Sequence, residues 1–279
     1  MLRRCWKRCK RLPDSEVPSV AAACRDVLLT ADPHAKLMKA RAAQRAWRLG
    51  RLMHGFDVAM PDRPARPDQP ELLPPNRMPK RGKMGSVRSR IAMLHALAHI
   101  EFVAIDLAFD LVGRFGAQFP RDFVDDWLRV GAEEAMHFAL LDRRLRQLGT
   151  HYGAMPAHDG LWEAAEETAQ DALARLAVVP MVLEARALDI TPTTIERFAG
   201  AGDASSARAL NRIMNDEIRH VAAGTRWFNW STNRLGLDAP DHYQMLVNRH
   251  FRGSLKPPFN DSARREAGLT RDYYMALAY

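Results

Sequence analysis

The chain has 279 residues, 47% of them hydrophobic, and carries 41 Lys+Arg against 33 Asp+Glu for a formal net charge of +8. That apolar share leaves material for a substantial core, and three cysteines (Cys5, Cys9 and Cys24) exclude a disulfide framework and make a reducing cytoplasm the expected compartment. Uninterrupted apolar stretches fall far short of a membrane span. The basic N-terminus lacks the apolar core of a secretory signal, so neither a membrane nor export is expected.

The charge is unevenly placed. Residues 1–90 hold 21 Lys+Arg against 8 Asp+Glu, a balance of +13, which leaves 20 against 25, or −5, for residues 91–279. A basic first third on an acidic body either meets a polyanion or neutralises its own chain.

In chain order, Asp32-Pro33 supplies an N-cap and a first-turn proline, opening a basic helix to about Met53. Prolines 61, 64, 67, 70, 74, 75 and 79 then impose an extended arm, expected to lie across the rest of the protein as a strap. Four long amphipathic helices follow. The first is capped by Ser86 and runs to about Phe115; the second opens at Pro120 and closes on Arg143, Arg144 and Arg146 before Gly149. The third is expected over Leu161–Asp189 with a kink at Pro180, followed by a short connector helix from Thr191-Pro192. The fourth runs from Ser205 to Asn233 and ends near Gly236. The tail shows one helical run near His242–Phe251 and a turn at Pro257-Pro258. Nothing reads as a strand, so the fold class is all-α. The expected layout is a basic helical and proline-rich arm (1–85), a four-helix bundle (86–235) and a C-terminal helical tail (236–279).

The chemistry lies in a repeat. Glu134 and His137 form a Glu-x-x-His pair, as do Glu217 and His220, and each pair is preceded 33 residues upstream by a glutamate: Glu101 (134 − 101) and Glu184 (217 − 184). Residues three apart share a helix face, so each pair can reach one ion from adjacent turns. The halves also match around the ligands: Ala104 with Ala187, Asp106 with Asp189, Val130 with Ile213, Glu133 with Asp216. A carboxylate buried alone costs several kcal/mol, and four in one apolar core are tolerable around cations. Oxygen and nitrogen donors without thiolate exclude iron–sulfur clusters and favour iron or manganese; two tetrahedral zinc sites would not need four carboxylates. The set is that of a carboxylate-bridged di-iron site in a helix bundle.

At these residues the chain resembles the ferritin-like superfamily over roughly residues 86–235, including ribonucleotide reductase small subunits, bacterial multicomponent monooxygenases and the tRNA isopentenyladenosine hydroxylase. It is similar over its whole length to an uncharacterised family of bacterial ferritin-like proteins. The marks are Arg63-Pro64-Ala65-Arg66-Pro67, His158-Asp159-Gly160-Leu161-Trp162 and Leu255-Lys256-Pro257-Pro258-Phe259-Asn260. The resemblance implies two iron ions, or Mn/Fe or Mn. Glu134 and Glu217 would bridge, Glu101 and Glu184 would be terminal ligands, and His137 and His220 would each cap one metal. It also implies that Asp216 bonds His137 and Glu133 bonds His220 as outer partners.

Other signals carry less. His95 and His99 read as packed or surface histidines, Tyr152 as an ordinary loop tyrosine beside His151 and His158, and Trp127, Trp162, Trp227 and Trp230 as packing. Cys5 and Cys9 read as free thiols on a basic tail. The expected function is a di-iron oxidoreductase that activates O2 for oxidation of a small molecule with an external reductant. A ferroxidase, and a tRNA-nucleoside hydroxylase whose arm holds phosphates, are the alternatives. A homodimer is one assembly the chain permits.

Overall fold

The computed structural model describes residues 17–78 and 85–278. Cys5 and Cys9, the basic run before them and Pro79 lie outside the described residues. The described chain is all-helical, without a strand.

Two short helices come first: α1 (Val20–Leu28) and α2 (Pro33–Arg48). Ser19 caps α1 by accepting from the Ala22 N–H, and Asp32 caps α2 by accepting from Ala35, with Pro33 at the first position as expected. Two expectations change here. The basic helix stops at Arg48 rather than Met53, and α1 was not foreseen, because nine residues give too little periodicity to register. Both pack on the next pair, α3 (Val87–Phe115) and α4 (Arg121–Gln147), α1 against α3 and α2 chiefly against α4.

The strap follows. Its Arg63 pairs with Asp159 and with Glu166 (3.0 Å), its Arg66 with Asp106, and the Trp162 indole donates to the Asp62 carbonyl at 3.3 Å. Two of the sequence marks, 63–67 and 158–162, therefore dock on each other. Lys36 of α2 is fully buried, pairs with Asp106 and donates to the Ala65 carbonyl at 3.2 Å. Part of the positive charge in the first third thus answers acids of the same chain, while Arg41, Arg45 and Arg48 of α2 face solvent.

The third long helix departs most from expectation. In place of one kinked helix ending at Asp189 there are α5 (Gly160–Glu167), α6 (Ala172–Val178), a π-helical turn (Val179–Glu184) and α7 (Ala185–Gly200). Asp171 caps α6, accepting from Leu173 and Ala174. Buried Arg175 holds the break: Nη2 donates to the Ala165 carbonyl (2.5 Å), Nε to Thr168 Oγ1 (2.9 Å) and Nη1 to Asp110 of α3 (2.5 Å). Pro180 does not kink the rod simply; it lies in the wider π turn, which its missing N–H tolerates. Nor does Pro192 begin a new helix. It sits inside α7, and the Leu188 carbonyl that it cannot serve is served by Asn260 Nδ2 at 3.1 Å.

The last long helix, α8 (Ala204–Leu235), stops at Gly236 in the left-handed region (φ 68°). Gly224 of α8 faces the π turn; a Cβ there would lie 2.5 Å from the Pro180 ring, so glycine is what lets the two elements touch. α3 packs along α4, α4 against α8, and α8 against the π turn and α7, while α5 and α6 reach α3. The tail, α9 (Ala239–His250), α10 (Asp261–Glu266) and α11 (Arg271–Tyr274), covers α6, α7 and α8.

One helix, spanning Val87–Gln118 with its terminal turn, has the length and apolar composition to cross a membrane, with a mean hydropathy of 1.6 over its best window. Of that window 67% is buried inside the protein. A helix apolar on all sides is a core helix when neighbours cover it, and α1, α4 and α5 do so here.

Candidate metal centre

Helical spacing brings the expected ligands inward. Glu101 comes from α3, Glu134 and His137 from α4, and Glu217 and His220 from α8; all five are buried. Ligand atoms of Glu101, Glu134, His137 and Glu217 lie within 4.8 Å of one another. His137 Nδ1 is 3.2 Å from Glu134 Oε2, 3.3 Å from Glu101 Oε2 and 3.6 Å from Glu217 Oε1. His220 Nδ1 is 2.8 Å from Glu134 Oε1 and 3.6 Å from Glu217 Oε1. The two imidazoles face each other with centroids 5.6 Å apart, and Glu134 and Glu217 each lie within 3.6 Å of both.

Glu184 arrives differently. It is the last residue of the π turn, and its carboxylate lies apart from the tight group but lines the same cavity as Glu101, Glu134 and Glu217. Its Oε2 is sealed from solvent and accepts no hydrogen bond. His220 Nδ1 likewise lacks an aligned hydrogen bond, although Glu134 stands 2.8 Å away. A buried carboxylate oxygen without a hydrogen bond and an imidazole nitrogen without an aligned one, both beside a cluster of carboxylates, are what a cation would satisfy.

The outer nitrogens are held in a crossed pattern. His137 Nε2 meets Asp216 Oδ2 of α8 at 3.2 Å, and His220 Nε2 meets Glu133 Oε2 of α4 at 2.9 Å. Each acid just before one Glu-x-x-His thus grips the histidine of the other. A ring that gives Nε2 to an acid presents Nδ1 inward. Arginine secures the acids from outside: Arg212 Nε reaches Asp216 at 2.9 Å, and Arg219 reaches Asp216 at 2.5 Å and Glu133 at 3.3 Å. Sequence reading passed over these arginines, although their i−4 and i+3 spacing to Asp216 was a signal.

The electrostatics follow from burial. Burial and the negative charges of Glu134 and Glu217 push the Glu101 and Glu184 carboxyls well above the usual range. For His137 burial works downwards, but hydrogen bonds to Glu101 and Glu134 outweigh it and raise the imidazole to about 11; for His220 burial is outweighed by the charges of Glu134 and Glu217 and then by the hydrogen bond to Glu133, so it too rises well above the usual range. Without cations the cluster therefore balances its carboxylates with protons. Two divalent ions would neutralise four carboxylates, 4 × (−1) + 2 × (+2) = 0, and leave both imidazoles neutral. The donor set could hold metal, and divalent ions bound there would displace protons.

Near the site lies a neutral cluster that reads as packing. His99 Nε2 can bond the His158 carbonyl (3.1 Å) only by donating, so Nδ1 accepts from the Tyr152 hydroxyl (2.9 Å). His95 Nε2 accepts the Gly153 N–H at 2.9 Å. Tyr152 is buried against Phe102 and Phe138 rather than loose in a loop. Burial, reinforced by His151, lowers His95 to about 4; burial and Arg66 lower His99 to about 3. Since the unfolded chain takes up these protons first, stability is lost as the pH falls from about 6.5 towards 4. The loss is about 2 kcal/mol per histidine by pH 5. His99→Gln, which keeps a donor for the His158 carbonyl, should shrink the pH 7 to pH 5 difference in unfolding free energy by about 2 kcal/mol. Denaturant titrations at both pH values read it, and an unchanged difference would show that His99 titrates normally.

Comparison with known proteins places the chain. It is 41% identical over 213 residues to an "Uncharacterized protein" of Haemophilus influenzae, covering 74% of each chain. No solved structure matches it significantly. Residues 29–275 match the family described as "Protein of unknown function (DUF455)", a span that takes in α2 through α11 and every residue of the cluster, and the chain belongs to that family.

Proposed function

We propose that Glu101, Glu134, His137, Glu184, Glu217 and His220 hold two iron ions in a ferritin-like four-helix bundle, and that the protein is an O2-using oxidoreductase. The observation that carries this is the pair of imidazoles crossed between α4 and α8, each bonded outward to an acid and turned inward among buried carboxylates. When bound, such a pair of irons would supply the splitting of O2, with one oxygen atom going into a substrate C–H bond, the other leaving as water, and an external reductant giving two electrons with two protons.

The chain's own groups do the rest. Glu134 and Glu217, each within 3.6 Å of both imidazoles, would serve both ions, with Glu101 and Glu184 beside the cavity. Asp216 and Glu133 fix the ring orientations. The apolar walls from Leu97, Leu107, Leu183 and Ile213 limit water at the carboxylates. That cavity, of about 140 Å³, favours substrate oxidation over iron storage, which needs no enclosed apolar space.

The test is elemental analysis of anaerobically iron-loaded protein, followed by optical spectra before and after oxygen. The expected result is about two irons per chain, protons released on loading and an oxygen-dependent spectral change. Protein that takes no iron, or a single zinc, would overturn the proposal.

A further inference from the structure

The cavity is long and one-sided. On α3 its lining runs from Leu97 through Ile100 and Ala104 to Leu107, a rise of about 15 Å along the helix. The opposite wall is the π turn and α7, from Val179 to Thr191. Alanines 104 and 187, which occupy matching places in the two halves, keep this seam thin. Glu101, Glu134, Glu184 and Glu217 form its polar inner wall. Ile100 and Ile190, 39% and 42% exposed, mark where it meets solvent.

Arg186 is the lone cation among the lining residues, and its side chain is 41% exposed. Its Nη1 is committed to the Lys256 carbonyl (2.6 Å) and approaches Asp189 (3.4 Å). Asp189 itself is already satisfied by Arg264. Among the described residues the other guanidinium nitrogens of Arg186 have no partner, so the planar fork can accept an anionic head at the edge of an apolar slot.

We infer that the slot binds a slender aliphatic monocarboxylate, its head paired with Arg186 and its chain lying along the α3–α7 seam against the carboxylate wall. This rests on the reading of the cluster as a metal centre only for what happens to the chain afterwards; binding itself needs no metal. An apolar chain matches the lining and a carboxylate matches the single cation. A polycation would meet Arg186, and a bulky polar group would leave buried polar atoms unpaired.

Calorimetric titration of the full-length protein as purified, with metal content counted in parallel, tests this with octanoate, octanol and acetate. Octanoate should bind roughly tenfold more tightly than octanol, as expected for one charge-assisted pair, and acetate should not bind. Arg186→Gln should bring octanoate down to the level of octanol and leave octanol unchanged. Ala187→Phe, which fills the seam, should abolish both. The inference is overturned if octanoate binds no better than acetate, if Arg186→Gln leaves the octanoate-to-octanol ratio intact, or if Ala187→Phe leaves octanoate binding intact. Octanoate bound by protein that cannot take metal would overturn the metal reading alone. Metal-loaded protein indifferent to octanoate would overturn this inference alone.

Discussion

Glu217→Ala is expected to cut bound iron from about two per chain to one or fewer and to stop oxygen consumption, while the helices still form. Glu217 Oε1 stands 3.6 Å from the inward nitrogens of both His137 and His220, so its loss deprives both halves at once. Removing a ligand used by one ion alone would be milder. A second consequence concerns stability. In metal-free protein the Glu217 charge raises the Glu101 and Glu184 carboxyls but also holds the His220 imidazole protonated, so its repulsions and its attraction oppose each other. Glu217→Gln, which keeps the shape, should therefore gain less than the wild type on metal addition, because stabilisation by a bound ion follows its affinity. Elemental analysis and thermal unfolding with and without iron read the two effects. A variant that still holds two irons would remove Glu217 from the ligand set.

Several helix termini and the residues that meet in the buried cluster were legible because both obey local rules. Ser86, Asp32-Pro33 and Gly236 mark termini by their own chemistry, and Glu-x-x-His places two donors on one face whatever surrounds it. The crossed pairing of Asp216 with His137 and Glu133 with His220 came from resemblance rather than spacing. What stayed hidden depends on partners distant in sequence. Nothing local forbids helix at Thr168–Asp171; the break persists because Arg175, anchored to Asp110 sixty-five residues away, takes the Ala165 carbonyl and Thr168 hydroxyl. Pro192 reads as a helix start because a proline strands a carbonyl, yet Asn260 supplies the donor from the tail. The equivalence of Asp106 with Asp189 was visible as a repeat, but its purpose was not. In one half that aspartate binds Lys36 and Arg66 of the arm, and in the other Arg264 of the tail.

Arg264→Met is expected to destabilise the protein by about 3 kcal/mol, because it takes from an interior charge its buried bidentate counterion. Asp189 is sealed on its side chain and Arg264 is 2% exposed; the guanidinium spans both carboxylate oxygens at 2.9 and 2.7 Å. Arg264 also lies over the rings of Phe259 and Tyr274, with centroid distances of 4.9 and 4.6 Å, so methionine restores some packing and isolates the electrostatic part. Asp189 keeps the Asn260 N–H at 2.9 Å and the part-exposed Arg186 at 3.4 Å, but a neutral donor and one long contact do not replace a buried bidentate cation. The double variant Asp189→Leu with Arg264→Met should recover most of the loss, since an apolar pair of similar bulk avoids the desolvation that the ion pair incurs. Denaturant unfolding of the two single variants and the double closes the cycle. If Arg264→Met alone costs less than about 1 kcal/mol, the range of an exposed pair, the tail is not anchored through Asp189. Asp189 sits five residues after Glu184 on one continuous rod, and Asp106 five after Glu101. Each half of the proposed centre therefore has its outermost carboxylate on a helix pinned from outside, one by the arm and one by the tail. The arm and the tail act in this arrangement as a clamp on α3 and on the π turn with α7, the two elements between which the cavity lies.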